Sequence, residues 1–215
     1  MEVVPQMDLE FVYKKAVESF KAQCSELRVD ADIDKLSLYK RYPSLQPTID
    51  IINHCRAEYD KKKFGSRKIS AIKNIISRAK KNWSPTIGIW KEGDFNAVTD
   101  KHCLVYFLGE YDSLVKTDTT PNFDMVVSGA KSSAIIDLAN IPTVSELKKF
   151  MVEEGKDAIF DLFDGYYVDP VLLLDILNIL GDVQSIMLPI SKSKPCVIEG
   201  SNSEFAILMP KRKVV

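Results

Sequence analysis

The stretch Tyr166-Tyr-Val-Asp-Pro-Val-Leu-Leu-Leu-Asp-Ile-Leu-Asn-Ile-Leu-Gly181 decides the fold, together with the tail Phe205-Ala-Ile-Leu-Met-Pro-Lys-Arg212. Residues 166–168 read as a strand. Asp169 supplies a cap, Pro170 fits the first helical position, and Gly181 marks the stop. Leu172, Leu173, Ile176, Leu177 and Leu180 form a wide apolar stripe on that helix. Residues 185–189, 196–199 and 205–209 then read as short strands separated by turns.

The same order occurs once before. Residues 66–81 read as a helix with Ile69, Ile72, Ile76 and Ala79 as its buried stripe. Trp83-Ser84-Pro85 opens a turn, residues 86–90 are a short strand, and 91–94 make a hairpin turn. Strands follow at 95–99 and 103–108. The expected class is therefore α+β: two helix-plus-antiparallel-strand units that share one sheet, with both helices on one face.

Upstream, residues 8–28 read as an amphipathic helix capped by Asp8, and 48–62 as a second helix. Residues 33–39 suggest a further turn of helix. The expected organisation is a helical extension over 1–63 and an α+β domain over 64–215. The extension is read either as a packing appendage or as a partner-binding or DNA-binding arm. Between the two repeats, 123–128 and 133–138 read as strands. Thr143 with Glu146 forms a capping box for a helix that Gly155 ends. Residues 158–162 read as a strand.

Composition narrows the function. The chain has 215 residues, with 46% hydrophobic and 27% charged, which suits a packed core rather than disorder. Its four cysteines are dispersed and it has only two histidines, so no zinc site is expected. No apolar run approaches the roughly 18 residues of a membrane span, and a cytoplasmic location without membrane contact is expected. No phosphate loop, nucleophile motif or catalytic triad spacing is present, so neither an enzyme nor a cofactor is expected. Asp100 and His102 read as surface groups of a turn. Asp161, Asp164 and Asp169 read as turn and cap residues rather than metal ligands.

The net charge is only -1, yet residues 61–81 hold nine Lys and Arg and no acid. These are Lys61, Lys62, Lys63, Arg67, Lys68, Lys73, Arg78, Lys80 and Lys81. Lys68, Lys73 and Lys80 should lie off the apolar stripe and face solvent. One reading is an ordinary solvated face; the other is a surface that follows duplex phosphates without reading sequence.

Two motif sets resemble the bacterial DNA polymerase III beta sliding clamp family. The first is Ala-Ile-x-x-Ile-Ile-x-x-Ala over 71–79, then Ser84-Pro85, then Val98-Thr-Asp-Lys-His-Cys-Leu104. The second is Tyr-x-x-Asp-x-x-x-Leu-Leu-x-x-Leu from Tyr166, then Ser-x-Pro-x-x-Ile from Ser193, then Ile207-Leu-Met-Pro-Lys-Arg212. Lys101 stands where the family has Gly, and Cys103 where it has Arg. The resemblance covers less than half of a chain much shorter than the family's usual three domains. The helix after Asp169 also lacks the Lys and Arg that clamp channel helices carry.

The resemblance implies a divergent, shortened clamp-like domain: a non-enzymatic processivity factor that forms a homo-oligomer on duplex DNA. It also implies an apolar pocket for a peptide of a polymerase or other replication protein, formed by Thr99, Leu104, Ile207, Met209 and Pro210. An adaptor that uses this pocket without encircling DNA is the second reading. Leu104, Ile207 and Met209 also read simply as core residues of edge strands.

Overall fold

The computed structural model describes residues 8–31, 38, 41–82, 84, 86–117, 119, 121–138 and 140–212. The turn of helix expected at 33–39 lies outside these residues except for Leu38, as do Trp83 and Pro85. Two compact units emerge: Met1–Gly65 with Tyr111–Ser113, and Ser66–Glu110 with Leu114–Val215. The short segment Tyr111–Ser113 belongs to the first unit, although it is flanked in sequence by the second. Of the described residues, 48% are helical and 22% in strands, with an antiparallel sheet, so the class is α+β. Among the described residues no helix is long and apolar enough to cross a membrane.

In the first unit, α1 (Leu9–Glu26) packs on α2 (Gln46–Phe64). Asp8 caps α1 by accepting a hydrogen bond from the Glu10 amide. Phe20, Cys24, Leu45, Ile49 and Ile52 build the core between them. Asp60, fully buried on α2, accepts hydrogen bonds from the amides of Asp112 and Ser113, and Phe64 packs its ring on Tyr111. These contacts give the segment 111–113 its place.

In the second unit, α3 (Ser66–Lys81) precedes β1 (Trp90–Glu92), β2 (Phe95–Thr99) and β3 (Cys103–Phe107). Then come α4 (Asp124–Ser133), β4 (Ala134–Asp137), α5 (Val144–Glu153), β5 (Phe160–Phe163) and β6 (Tyr166–Val168). The second repeat is α6 (Pro170–Leu180), β7 (Val183–Pro189), β8 (Cys196–Gly200) and β9 (Phe205–Leu208). The strands run β1-β2-β3-β9-β8-β7-β4 in one antiparallel sheet, with β5 and β6 as a separate hairpin. The order β1-β2-β3 meeting β9-β8-β7 is what a two-fold axis through the β3–β9 seam would generate.

Both sheet faces are covered, as the strand period of two requires. Val98, Val105, Phe107, Ile198, Ala206 and Leu208 are buried on the side where α3 packs on β2 and α6 on β3 and β9. Ala97, Leu104, Tyr106, Val197 and Ile207 alternate with them and pack with Ala130 of α4 on the other side. α3 and α6 also pack on each other, and α5 flanks α6. Both repeat helices therefore do share one face.

Three expectations need correction. Residues 123–128 are not a strand: α4 begins at Asp124, where the Asn122 side chain accepts the Asp124 amide. Packing of Val127 and Ala130 on the sheet overrides the β-branched pair Val126-Val127. The strand expected at 86–90 begins only at Trp90; Ile89 instead makes an isolated parallel bridge to Lys116. Gly88 permits this close approach, since a Cβ there would lie 2.7 Å from the Val115 carbonyl oxygen. Finally, Lys68 does not face solvent; its side chain is 18% exposed and its ammonium pairs with Glu204 at 3.1 Å.

A candidate peptide-binding groove

The turn joining β2 to β3 is held by its own side chains. The Thr99 hydroxyl donates to the Cys103 carbonyl at 2.6 Å and accepts the Lys101 amide at 3.2 Å. One Asp100 carboxylate oxygen accepts the amides of His102 and Cys103, at 3.1 and 3.0 Å. The turn places Lys101 in the left-handed region, φ 79°. That is the position at which the resembling family has Gly, the residue that takes this conformation without strain.

Asp100 is not the surface residue the sequence suggested. It is fully buried, and its other oxygen accepts Arg78 Nε at 2.7 Å. Arg78 Nη1 reaches Asp175 of α6, also at 2.7 Å, and Asn74 donates to the second Asp175 oxygen. Arg78 thus joins α3, α6 and the β2–β3 turn. Burial pushes the Asp175 carboxyl above its usual range, against the lowering effect of Arg78 and Asn74. Burial, with Asp100 beside it, also drives the Cys103 thiol well up, so this cysteine is an inert packing group.

Beside that turn lies a groove of about 460 Å³. Leu104, Ile207, Phe123 and Val126 give it apolar walls, with Thr99, Met209, Ser84, Thr86, Lys101, His102 and Cys103 completing the lining. Leu104 and Ile207 face each other across the β3–β9 seam and are also buried core residues, on central strands rather than the edge strands expected. Met209 is 39% exposed, and its amide donates to the His102 carbonyl, extending the β3–β9 ladder past the last strand residue. The tail is then fixed by Lys211, whose amide donates to the Tyr167 carbonyl and whose ammonium pairs with Asp169.

Four of the five expected pocket residues therefore line one groove. Pro210, half-buried, follows Met209 in the chain but is not among the lining residues. Sequence reasoning did not find Phe123 and Val126, because α4 was read as a strand, nor Ser84 and Thr86. The Thr86 hydroxyl is buried with no hydrogen-bond partner among the described residues.

The nine cations of 61–81 divide. Lys61, Lys62 and Lys63 end α2, with Lys61 paired to Glu58, whereas the other six lie on α3. Lys68 and Arg78 are held in internal ion pairs, which leaves Arg67, Lys73, Lys80 and Lys81 exposed on α3. Asp161 and Asp169 do structural work, accepting amides of Gly165 and of Val171 and Leu172. A larger cavity of about 770 Å³ in the first unit mixes Asp8, Glu10 and Asp112 with Arg56 and Lys62. Among the described residues no group of His, Cys, Asp and Glu is placed to hold a metal ion.

Comparison with protein families, curated proteins and solved structures gives no match.

Proposed function

We propose that this chain is a sliding-clamp-like replication factor. It assembles as a homo-oligomer on duplex DNA and tethers a polymerase or another replication protein by a peptide held in the groove. The observation that carries this reading is the convergence of Thr99, Leu104, Ile207 and Met209, from two distant motifs, on one concave apolar site. A groove with an apolar floor and a few polar groups at its rim suits an extended peptide with aliphatic and aromatic anchors. Met209, flexible and partly exposed, adapts to such anchors. The paired helix-plus-three-strand repeats on a continuous sheet agree with the clamp-like architecture that the motifs imply.

Two further features support assembly on DNA. Arg67, Lys73, Lys80 and Lys81 offer exposed cations on α3 for phosphate contacts. At the edge of the sheet, β4 exposes Ile135 and Ile136, an edge of the kind that pairs with another chain. Head-to-tail contacts of this type form a ring only when the rotation per subunit closes.

The adaptor reading is favoured by one observation: two of the six cations on α3 are held in ion pairs, which leaves only four of them for phosphate contacts. Solution mass by light scattering, with and without duplex, separates the two. The clamp reading expects a defined oligomer retained on circular but not on short linear duplex. A monomer indifferent to DNA overturns it and leaves the adaptor.

A further inference from the structure

We infer that the groove selects peptides that carry a carboxylate beside their apolar anchors, with Lys101 as the residue that reads the charge. This deepens the groove reading above and rests on it. Three observations carry it. First, Lys101 puts a cation at the rim, beside His102, and among the described residues no Asp or Glu lines the groove. The Asp100 carboxylate of the same turn is buried, and Arg78 and the turn's own amides take up its oxygens.

Second, the cation is presented by a built turn rather than a loose side chain. Two side chains, Thr99 and Asp100, fix the backbone around Lys101. Its ammonium donates one hydrogen bond, to the Asn82 carbonyl at 2.7 Å. An ammonium has three donors, so two remain for a ligand. The left-handed conformation at Lys101 would be eased by Gly, so a Lys here carries a local backbone cost.

Third, Thr86 in the groove wall is 1% exposed, and its hydroxyl has no partner among the described residues. A buried hydroxyl without a partner is costly, and a ligand oxygen or amide would satisfy it. An apolar floor, a positive rim and an unsatisfied hydroxyl together describe an acidic, extended peptide. A nucleic-acid strand would leave the apolar floor unmatched.

The test uses two fluorescein-labelled peptides with the same Leu and Phe anchors, differing only in Asp against Asn between them, titrated by polarisation into the full chain. The Asp peptide is expected to bind about fivefold tighter, the size of one partly exposed ion pair. The advantage should shrink as salt is raised. Lys101→Gly, which suits the backbone of the turn, should abolish the difference between the two peptides. Met209→Ala should weaken both peptides together. Equal binding of the two peptides to the wild-type groove, lost in Met209→Ala, overturns the charge selection and leaves the groove reading standing. No binding of either peptide overturns both. Concentration-dependent dimerisation that blocks the peptides and is relieved by Met209→Glu assigns the groove to a second copy, and also overturns the proposal.

Discussion

The helices α3 and α6 open the two repeats and occupy equivalent places in the topology, yet they are unlike in composition. α3 buries Ile69, Ala71, Ile72, Ile75 and Ala79 and exposes Arg67, Lys73, Lys80 and Lys81. α6 has no exposed residue at all; every position is buried or half-buried. The cause is its neighbours: α3, α5 and the strands β3 and β9 all pack against it. A helix enclosed in this way is apolar around most of its circumference, whereas one at the margin of the layer keeps a charged face. The absence of Lys and Arg from α6 is thus a consequence of burial. It carries no independent message about DNA, and the search for phosphate contacts belongs on α3.

The one charged link between the helices is the place to break the comparison. Arg78→Ala would leave Asp100 and Asp175 as buried carboxylates without their cation. Its expected cost is about 3–5 kcal/mol, read from urea unfolding. Loss of the turn geometry should follow, so the peptide affinity of the groove should fall as well. A cost below about 1 kcal/mol would show Arg78 to be an ordinary surface cation of α3.

A smaller effect sharpens the same link. The Asp175 carboxyl is held above its ordinary value of 3.8 by burial, so the folded state keeps that proton more readily than the unfolded chain. Its contribution to stability is therefore present below pH 3.8 and is lost as pH rises through the folded value. Asp175→Asn should remove this loss and flatten the acid-range slope of stability, measured by urea midpoints across that window. An unchanged slope would place the titration elsewhere.

The smallest effects are expected on the exposed side of α3. Lys73→Gln and Lys80→Gln should each change stability by less than about 0.5 kcal/mol. The pair should nonetheless lower the salt dependence of duplex binding if α3 contacts phosphates. Unchanged duplex binding would reduce the basic run to a solvated face.

Much of this was legible in the chain. The span of α3, the cap and stop of α6 and the capping box at Thr143 follow from short-range chemistry: side chains that satisfy free amides, and glycine where the backbone must reverse. The resemblance also grouped Thr99, Leu104, Ile207, Met209 and Pro210, of which all but Pro210 line one groove. What the sequence concealed was long-range. α4 has no strong cap, and its helix depends on packing Val127 and Ala130 on the sheet. Its place brings Phe123 and Val126 to the groove. Asp100 reads as a turn residue, and its burial follows from Arg78, which is 22 positions away in sequence.

By itself, the sequence determined the period and ends of the well-marked helices α3, α5 and α6, and the one-sided charge of residues 61–81, because these depend on neighbours within a few positions. Only the tertiary structure decided which of those charges remain available. Lys68 and Arg78 meet Glu204, Asp100 and Asp175, partners that no local pattern announces. Burial then makes each pairing obligatory, since a carboxylate removed from water must find its cation or lose its charge.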